Sequence, residues 1–593
     1  MKLFVSPLLA LSCLIGNAVA AWPNGPFKTE GRWIVNANGD KISLAGANWP
    51  GHGEVMVPEG LQYQSIKDVL SDIKSIGMNA IRLTFATELV DQIYANNGKD
   101  VDLKTAFEEG LGKENGTIIL QKVLKNNPSF TAQTTRLEVY DAIAAECLRQ
   151  QIYIDLDNHI SEAKWCCGGT DGNTWWGDTQ FNVDNWVRGG KYMAAHSKKW
   201  PAKITQSLRN EPREPTNNNA LRDKSYNWSD LYKYMRQGAD AVHEADPNAI
   251  IVISGMNYDT YVTPLYSGET LQPGGEVFNR DDFVGYGNDK LVLEIHNYEN
   301  SGTSCSSLRY NLYNKGFQAM NESDPNVAEV FPVMLTEFGQ AMNGADYNTA
   351  NTYVSCLSEY LPEIKASWFI WVIVGRYYTR QGIQEFDDSW GLKKADWSGW
   401  KNDDYIAKYL KPQIAGTLKN ETLNSLSTIS HRIVLLHDPS SAPTLNSEWK
   451  TRWLLLETFT VFCALGDGVC EFGDICHGGV QATLLEDVMG VLGVFRTRVQ
   501  NGMIPTKVTG RCSPKINPGR LDLVANMIAT QSIEVQYLRP LRVPQTIQIT
   551  ASMGDISDDG ASFAVYAVIK DGNRKEYTKA KARWAVFRSR AKL

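Results

Sequence analysis

The sequence predicts an α/β protein in which a (β/α)8 TIM barrel is followed by a smaller α+β domain. From residue 36 to about residue 418, short β-branched runs alternate with polar or glycine-rich stretches and helix-period segments. This rhythm is typical of βα units around a parallel sheet. There are eight such runs, the number that closes a TIM barrel. After residue 426 both the composition and the order of the elements change.

The eight apolar runs are the predicted barrel strands: Ile42–Asn48, Ala80–Phe85, Gln151–Asp157, Ile204–Arg209, Ile250–Gly255, Leu291–Ile295, Val333–Thr336 and Ser367–Trp371. Amphipathic segments between them predict outer helices, among them Ser65–Ile76, Arg136–Arg149, Trp228–Glu244 and Asn348–Tyr360. A doubly wound open sheet is the alternative architecture. No glycine-rich phosphate-binding turn follows the first run, which argues against that alternative.

The chain of 593 residues is 43% hydrophobic and 21% charged, a composition that excludes a disordered protein. Residues 426–593 carry 20 Lys and Arg against 15 Asp and Glu, whereas residues 1–425 carry 39 against 51. This asymmetry predicts two units of different origin. Neither unit is basic enough to indicate a nucleic-acid partner.

Composition also predicts the domain boundaries. Residues 419–443 are polar and rich in Ser, Asn and Thr, so they predict a linker between a barrel domain (residues 21–418) and a C-terminal domain (residues 444–593). In the C-terminal domain, Val480–Val494 predicts a long buried helix. Four alternating runs predict strands: Ala529–Tyr537, Gln545–Ser552, Ala561–Ile569 and Tyr577–Phe587.

The N-terminus has the pattern of a secretory signal peptide. Lys2 precedes an apolar run to Ile15, and Ala18-Val19-Ala20 offers a cleavage site, so residues 1–20 predict the signal. The run is too short for a transmembrane anchor, and no later stretch predicts a membrane span. We therefore expect a secreted, extracellular protein. Four glycosylation sequons fit this route, at Asn115, Asn227, Asn321 and Asn420.

Five cysteines of the predicted barrel domain remain in the mature chain: Cys147, Cys166, Cys167, Cys305 and Cys356. In an oxidising compartment they allow two disulfides and one free thiol. We expect Cys305 to pair with Cys356, and one sulfur of the adjacent Cys166 and Cys167 to pair elsewhere. The spacings do not predict a zinc site, and no metal or organic cofactor is expected.

Polar and aromatic residues stand near the carboxyl ends of six predicted strands. Active sites of TIM barrels lie at this face, so these side chains form the candidate site. They are Arg82, His159, Asn210, Glu211, His296, Tyr298, Glu337 and Trp371.

Two carboxylates on one barrel face are what glycosidic bond cleavage requires. One is protonated and gives its proton to the leaving oxygen, while the other attacks the anomeric carbon, and in retaining enzymes the two carboxyl groups lie roughly 5 to 5.5 Å apart. Glu211 and Glu337 are the candidates. The two roles need opposite environments, and Arg82 is expected to keep Glu337 ionised. Flat aromatic side chains suit sugar rings, and the candidates are Trp371 together with Trp49, Trp165, Trp175 and Trp176.

This ordered set resembles glycoside hydrolase family 5, the cellulase family of clan A, from about residue 33 to residue 400. The resemblance rests on Asn210-Glu211-Pro212, Leu335-Thr336-Glu337-Phe338-Gly339, His296-x-Tyr298, Arg82, His159 and Trp371. It implies that Glu211 is the acid/base and Glu337 the nucleophile. It also implies a substrate-binding shell of Arg82, His159, Asn210, His296, Tyr298 and Trp371. Family members that resemble this chain cleave β-1,4-glucan, whereas other members act on mannan, on β-1,3- or β-1,6-glucans or on glycolipids.

The C-terminal domain resembles the hotdog-fold thioesterase family. The resemblance rests on His477-Gly478-Gly479, the helical segment that follows it, and the run from Tyr537 to Pro544. It implies a thioesterase site of His477, Gly478, Gly479 and Glu486, and a possible homodimer. Family members more often have Asp where this chain has Glu486, and they act on acyl-CoA inside cells. A tight turn before a helix is the plain alternative for His477-Gly478-Gly479.

The sequence therefore predicts a secreted, retaining endo-β-glycanase whose partner is a polysaccharide, with β-1,4-glucan as the expected substrate. Acyl thioesterase activity as the main function is one alternative. A glycan-binding protein without catalysis is the other, and the presence of both glutamates argues against it because binding alone needs no acid and nucleophile pair.

Overall fold

The computed structural model describes residues 22–418, and in the C-terminal part residues 429–437, 458–465, 470–472, 475–476, 478, 481–486, 488–489, 492, 527–542, 545–557 and 562–587. The chain divides into two compact units, Met1–Lys419 and Asn420–Leu593. The predicted signal peptide, residues 1–20, lies outside the described residues.

The first unit is a closed barrel of eight parallel strands, which confirms the TIM-like prediction. Strands β1 to β8 are Ala45–Trp49, Ala80–Ala86, Tyr153–Ile160, Lys203–Ser207, Ile250–Ile253, Leu291–Asn297, Val333–Phe338 and Ser367–Ile370. Each strand pairs in parallel with its neighbours along the chain, and β8 closes the barrel on β1. Every predicted run overlaps one of these strands.

Helices surround the barrel where the apolar periodicity predicts them. The four predicted segments are Ile66–Ser75, Arg136–Gln150, Trp228–Ala245 and Asn351–Ile364. Two of them begin at caps in the sequence: the Ser65 side chain accepts from the Asp68 amide, and Thr135 forms a capping box with Glu138. The other helices of eight residues or more are Thr87–Ala95, Leu103–Leu111, Lys113–Asn126, Val183–Ser197, Cys305–Lys315 and Lys411–Leu418.

The interior of the barrel changes character along its axis. At the amino ends of the strands it is apolar, with Tyr153, Ile250 and Phe369 packed together with residues of a small antiparallel sheet of Lys28–Glu30, Trp33–Val35 and Lys41–Ile42. Toward the carboxyl ends the inward positions become polar and stay buried: Arg82, Asp155, Asp157, Glu294, His296 and Thr336. The polar end is therefore the face on which the candidate site is built.

The second unit contains a six-stranded antiparallel sheet. Its order is Ile429–His437, Thr458–Leu465, Gln545–Ile556, Ser562–Asp571, Glu576–Phe587 and Met527–Tyr537. Helical residues of the predicted long helix pack against the sheet through Leu484, Leu485, Met489 and Leu492. The four predicted strands are therefore present, together with a helix on one face.

The linker prediction fails for residues 429–437, because Ile429–His437 is a strand that pairs with Thr458–Leu465. The physical reason is its apolar centre, Ile433-Val434-Leu435-Leu436, inside a polar stretch. In the described part of the chain, no helix has the length and apolar character to cross a bilayer.

Candidate active site at the carboxyl ends of the barrel strands

The structure brings together all eight residues that the sequence predicts for the barrel site. Arg82 lies within β2, His159 near the end of β3, and Glu337 near the end of β7. Asn210 and Glu211 follow β4, Tyr298 follows β6, and Trp371 follows β8 directly.

Glu337 is held by donors on both of its oxygens. Arg82 Nη1 donates to Oε1 at 2.8 Å, and the Tyr298 hydroxyl donates to Oε2 at 2.9 Å. His296 Nδ1 lies 3.6 Å from Oε2. Donors of this kind favour the ionised carboxylate.

Glu211 faces Glu337 but has different partners. Its Oε1 lies 3.0 Å from His296 Nδ1. One potential ligand atom from each of Glu211, His296 and Glu337 lies within 4.8 Å of the other two. The backbone at Glu211 is left-handed, with φ of 48°, a conformation that costs a non-glycine residue about 1–3 kcal/mol. The two carboxylates therefore face one small space from different hydrogen-bond environments.

Burial raises the pKa of both carboxyls. The pKa of Glu211 rises to about 7, and that of Glu337 also rises to about 7, where the charge of Arg82 acts against the effect of burial. The sequence-based expectation of opposite environments is therefore wrong in one respect, since both carboxyls are desolvated. Two carboxylates this close do not both ionise easily, and the donors on Glu337 make it the one that stays charged.

The register of the barrel explains the surroundings of Arg82. Asn48 in β1 and Asp155 in β3 stand opposite Arg82 in β2. Arg82 Nη1 donates to Asn48 Oδ1 at 3.0 Å, and Nη2 lies 2.9 Å from Asp157 Oδ1 and donates to Asn210 Oδ1 at 3.0 Å. These buried acids raise the pKa of Arg82 and fix its guanidinium. Asn48, Asp155 and Asp157 were not among the predicted site residues, because only the register of the strands places them against Arg82.

A chain of hydrogen bonds reaches His296 from the other side. The Thr336 hydroxyl donates to Glu294 Oε2 at 2.8 Å, and His296 Nε2 lies 3.0 Å from the same hydroxyl oxygen. Because the hydroxyl proton points to Glu294, the oxygen accepts from Nε2–H, which leaves Nδ1 as an acceptor toward Glu211. Burial lowers the pKa of His296, so the ring is neutral near pH 7. Sequence reasoning did not assign Thr336 or Glu294 a role.

Aromatic rings line the mouth beside the carboxylates. Trp371 stacks on His159 at 5.4 Å between ring centroids, and Trp165 meets Trp371 edge-on at 6.1 Å. His52, which the sequence did not single out, stacks on His159 at 3.9 Å. Three other predicted sugar-stacking candidates, Trp49, Trp175 and Trp176, are at most 1% exposed. That prediction is wrong for these three, because they pack in the core.

The cysteines pair within the barrel unit. Cys305 and Cys356 form the predicted disulfide, and Cys147 is a buried free thiol. Cys166 and Cys167 bond to each other, so the expectation that one of them pairs elsewhere is wrong. In the described barrel the buried Cys147 is the only other cysteine with a free thiol that either of them could pair with. Asn210 Nδ2 lies 3.6 Å from Cys167 Sγ, which places this disulfide beside the site.

In the part of the chain that the structure describes, two clusters combine side chains of metal-ligating types. One is Glu211, His296 and Glu337, and the other is His159 with Cys166 and Cys167. In the first cluster the guanidinium of Arg82 already neutralises Glu337 at 2.8 Å. In the second the sulfurs are joined in a disulfide and are not thiolates. The donor chemistry therefore suits proton transfer better than metal binding.

The predicted site of the second unit is described only in part. His477 and Gly479 lie outside the described residues. The Gly478 carbonyl accepts from the Tyr537 hydroxyl at 2.8 Å, and Glu486 Oε1 accepts from the Thr530 hydroxyl at 2.5 Å. Glu486 is therefore tied to the sheet by a hydroxyl donor.

A TIM barrel with two facing carboxylates at its mouth has the architecture of a glycoside hydrolase. The cellulase family, glycosyl hydrolase family 5, matches residues 35–376, more than half of the chain. The chain belongs to glycosyl hydrolase family 5, and it is a glycoside hydrolase.

Known proteins of similar sequence include a member of this family and an endoglucanase. A glycosyl hydrolase 5 family protein of Chamaecyparis obtusa is 30% identical over 397 residues, 65% of this chain and 65% of that one. An endoglucanase of Paenibacillus polymyxa is 22% identical over 422 residues, 67% of this chain and 90% of that one. Verlamelin biosynthesis protein B of a Lecanicillium species is 48% identical over 175 residues, 30% of this chain and 74% of that protein. A solved hyperthermostable endocellulase shares the fold over 65% of this chain and 98% of its own, with a TM-score of 0.50 and 20% identity.

Proposed function

We propose that this protein is a retaining endo-β-glycanase in which Glu337 is the nucleophile and Glu211 the acid/base, acting on β-1,4-glucan. The observation that carries the proposal is the pair of facing carboxylates, with one oxygen of each within 4.8 Å of the other: Glu337 is held by Arg82 and Tyr298, and Glu211 lies against His296 Nδ1. Retaining enzymes place their carboxyl groups about 5 to 5.5 Å apart, whereas inverting enzymes leave about 6.5 to 9.5 Å for a water molecule.

In the first step Glu337 attacks the anomeric carbon and forms a glycosyl–enzyme ester. Arg82 and Tyr298 orient the attacking carboxylate and keep it ionised. Glu211 gives its proton to the glycosidic oxygen as that bond breaks, so the leaving sugar departs as a neutral alcohol. The burial that raises the pKa of Glu211 keeps this proton available near neutral pH.

In the second step the ionised Glu211 takes a proton from water, and the hydroxide attacks the anomeric carbon. The ester to Glu337 breaks, the hemiacetal leaves with its original configuration, and Glu211 is protonated again. His296 Nδ1 accepts the hydrogen bond of the protonated Glu211, which favours the resting state needed for the next cycle.

The substrate assignment has two supports. The Paenibacillus polymyxa relative is an endoglucanase by name. Trp371 follows β8 at the carboxyl end of the barrel and meets Trp165 edge-on, and such rings suit the apolar faces of equatorially substituted sugars. A panel of β-1,4-, β-1,3- and β-1,6-glucans and mannans, with release of reducing ends as the readout, tests this assignment.

The roles of the carboxylates are tested with Glu337→Gln and Glu211→Gln. Each variant is expected to lose at least about 100-fold in kcat, and NMR of the first product formed by the wild type should show a retained β-anomer. Glu214→Gln is the matched control, because Glu214 is a second Glu before a Pro, lies 47% exposed and pairs with Arg222 at 3.6 Å. An α-anomer as first product, or full activity of Glu337→Gln, would overturn the proposal.

Secretion is part of the proposal. The two disulfides of the barrel unit support it, because disulfides persist in oxidising compartments. The predicted signal peptide at residues 1–20 is the second support. Detection of the mature chain in the culture medium, with its first residue near Ala21 by N-terminal sequencing, tests it.

A second activity is proposed for the second unit, a hotdog-like acyl thioesterase that forms a homodimer. A helix packed on an antiparallel sheet supports it. Acyl-CoA hydrolysis by the full chain should then fall with Glu486→Gln and persist with Glu337→Gln. Light scattering of the full chain tests the dimer.

A further inference from the structure

Asp259 is hydrogen-bonded to Glu211, the proposed proton donor, and to His296, the residue that faces its carboxyl. It lies in the loop after β5, while Glu211 follows β4 and His296 belongs to β6. We propose that Asp259 is a positioning residue that holds Glu211 in its proton-donating geometry. The proposal rests on the acid/base role proposed above for Glu211.

Three hydrogen bonds carry the proposal. The Glu211 amide donates to Asp259 Oδ2 at 2.7 Å, and the Gly255 amide donates to Oδ1 at 2.7 Å. The backbone carbonyl of Asp259 accepts from the His296 amide at 2.8 Å. One fully buried residue therefore fixes the backbones of Glu211 and His296 together.

The conformation of Glu211 explains why such a brace is needed. Its φ of 48° lies in the left-handed region, which a residue with a Cβ holds only when its surroundings determine it. The hydrogen bond to Asp259 Oδ2 acts on the amide that this unusual φ orients. Without the acceptor, Glu211 is free to relax toward an ordinary φ, and the direction of its carboxyl changes with it.

The loop that presents Asp259 is itself firmly determined. Asn257, Tyr258 and Asp259 all have φ between 52° and 63°. The Tyr258 amide donates to the Pro212 carbonyl at 3.1 Å, directly after Glu211 in sequence. A Cβ on Gly255 would lie 2.3 Å from the Tyr261 carbonyl oxygen, so this turn requires glycine. The left-handed loop and the left-handed Glu211 are thus joined at two points.

Asp259 acts on one carboxylate of the pair. Its hydrogen bonds in the described structure reach Glu211, Gly255 and His296, whereas Glu337 is held by Arg82 and Tyr298. Loss of Asp259 should therefore impair proton donation to the leaving group and leave nucleophilic attack by Glu337 largely intact. A loss of proton donation without a loss of nucleophilic attack would show that Asp259 positions Glu211, because a general structural role would impair both steps.

The test compares two aryl β-glycosides of the accepted oligosaccharide by kcat/KM, which reports the steps up to the glycosyl–enzyme. A phenyl leaving group needs a proton, whereas a 2,4-dinitrophenyl leaving group does not. Asp259→Ala is expected to lose about 100-fold on the phenyl glycoside, in the range of general acid catalysis, and less than about 5-fold on the dinitrophenyl glycoside. Asp259→Asn keeps one carbonyl acceptor. Its ratio of kcat/KM on the dinitrophenyl glycoside to kcat/KM on the phenyl glycoside should therefore lie between the ratios of the wild type and of Asp259→Ala.

Glu211→Ala separates the acid/base role of Glu211 from the positioning role of Asp259. If it spares the dinitrophenyl glycoside, Glu211 is the acid, and equal losses by Asp259→Ala on both substrates, or no loss on either, would overturn the positioning role. If Glu211→Ala loses both substrates equally, the acid/base proposal itself fails. Asp246→Asn is the matched control: Asp246 is 3% exposed, accepts from Lys203 Nζ at 2.9 Å, and should change stability without changing the ratio. Thermal unfolding of each variant verifies that it folds, and Asp259→Asn serves if Asp259→Ala does not.

Discussion

The Tyr298 hydroxyl donates to Oε2 of Glu337 at 2.9 Å, the oxygen that is not bonded to Arg82. Each oxygen of the proposed nucleophile therefore has its own donor, one neutral and one charged. The Tyr298 bond lowers the pKa of Glu337 against the raising effect of burial. Burial and the charge of Glu337 raise the pKa of Tyr298 well above its usual value, so the phenol keeps its proton.

Tyr298→Phe is expected to reduce kcat/KM by about 10- to 100-fold, because a hydrogen bond to a charged group contributes about 1.5–3 kcal/mol. The lost donor stabilises ionised Glu337, so its removal raises the pKa of Glu337 and moves the acidic limb of the kcat/KM profile to higher pH. Tyr266→Phe is the control, since the Tyr266 hydroxyl bonds to Gln318 at 3.0 Å away from the site. An unchanged acidic limb in Tyr298→Phe would contradict the prediction.

The pH dependence of the wild type should be bell-shaped with its maximum near neutral pH. Activity needs one proton on the pair, carried by Glu211, while Glu337 is ionised. Both pKa values are raised to about 7 by burial, and repulsion between the carboxylates separates the two macroscopic steps around this value. Measurement of kcat/KM from pH 4 to pH 10 checks this, and a profile that rises through pH 9 would be inconsistent with it.

Thr336→Val is expected to move the alkaline limb to lower pH. The Thr336 hydroxyl accepts from His296 Nε2 and thereby presents Nδ1 to the protonated Glu211. Loss of this arrangement destabilises protonated Glu211, lowers its pKa, and reduces kcat by about 10-fold, equivalent to about 1.4 kcal/mol. Thr174→Val removes another fully buried threonine hydroxyl, one bonded to Asp178, and should leave the limb in place.

Replacing both Cys305 and Cys356 with Ser should lower the free energy of unfolding of the barrel unit by about 2–4 kcal/mol, because the bridge closes a loop in the unfolded chain. The two cysteines are 51 residues apart in sequence. The bridge joins helices Cys305–Lys315 and Asn351–Ile364 on the outside of the barrel, so kcat should change little at 25 °C. Urea unfolding followed by tryptophan fluorescence measures the first effect, and an equally large fall in kcat would count against the second.

The parts of the fold that follow from local patterns were predictable. Each barrel strand is a buried apolar run, and polar residues at its carboxyl end identify the mouth, so the positions of Arg82, Glu211 and Glu337 at the mouth could be predicted from the sequence. Asp155, Asp157 and Glu294 were missed because an inward acid in mid-strand is visible only once the register pairs it with Arg82. Asp259 was missed because its role depends on a loop conformation with three consecutive left-handed residues.

Two errors share another cause. Trp175 and Trp176 stand in a loop sequence, and loops are usually exposed. This loop, however, packs them against Tyr226 and Tyr234, with Trp175 Nε1 bonded to Ser225. Burial of a long loop is a tertiary property that periodicity does not report. The pairing of Cys166 with Cys167 likewise depends on which other sulfurs come near, which only the folded chain decides.

The polar end of the barrel interior makes folding a proton-binding reaction. Burial raises the pKa of Asp155 to about 7 and that of Asp157 to about 6, from roughly 3.9 in an unfolded chain. Between about pH 4 and pH 7 the folded barrel keeps protons on Asp155 and Asp157 that the unfolded chain has released. The protonation of these two residues therefore stabilises the fold in full below about pH 4, and its contribution is lost as the pH rises through 6 to 7. The midpoint of urea unfolding should therefore fall from pH 5 to pH 8, and less steeply in Asp155→Asn. The same buried acids that orient Arg82 thus give the folded barrel a contribution to stability that grows as the surroundings become more acidic.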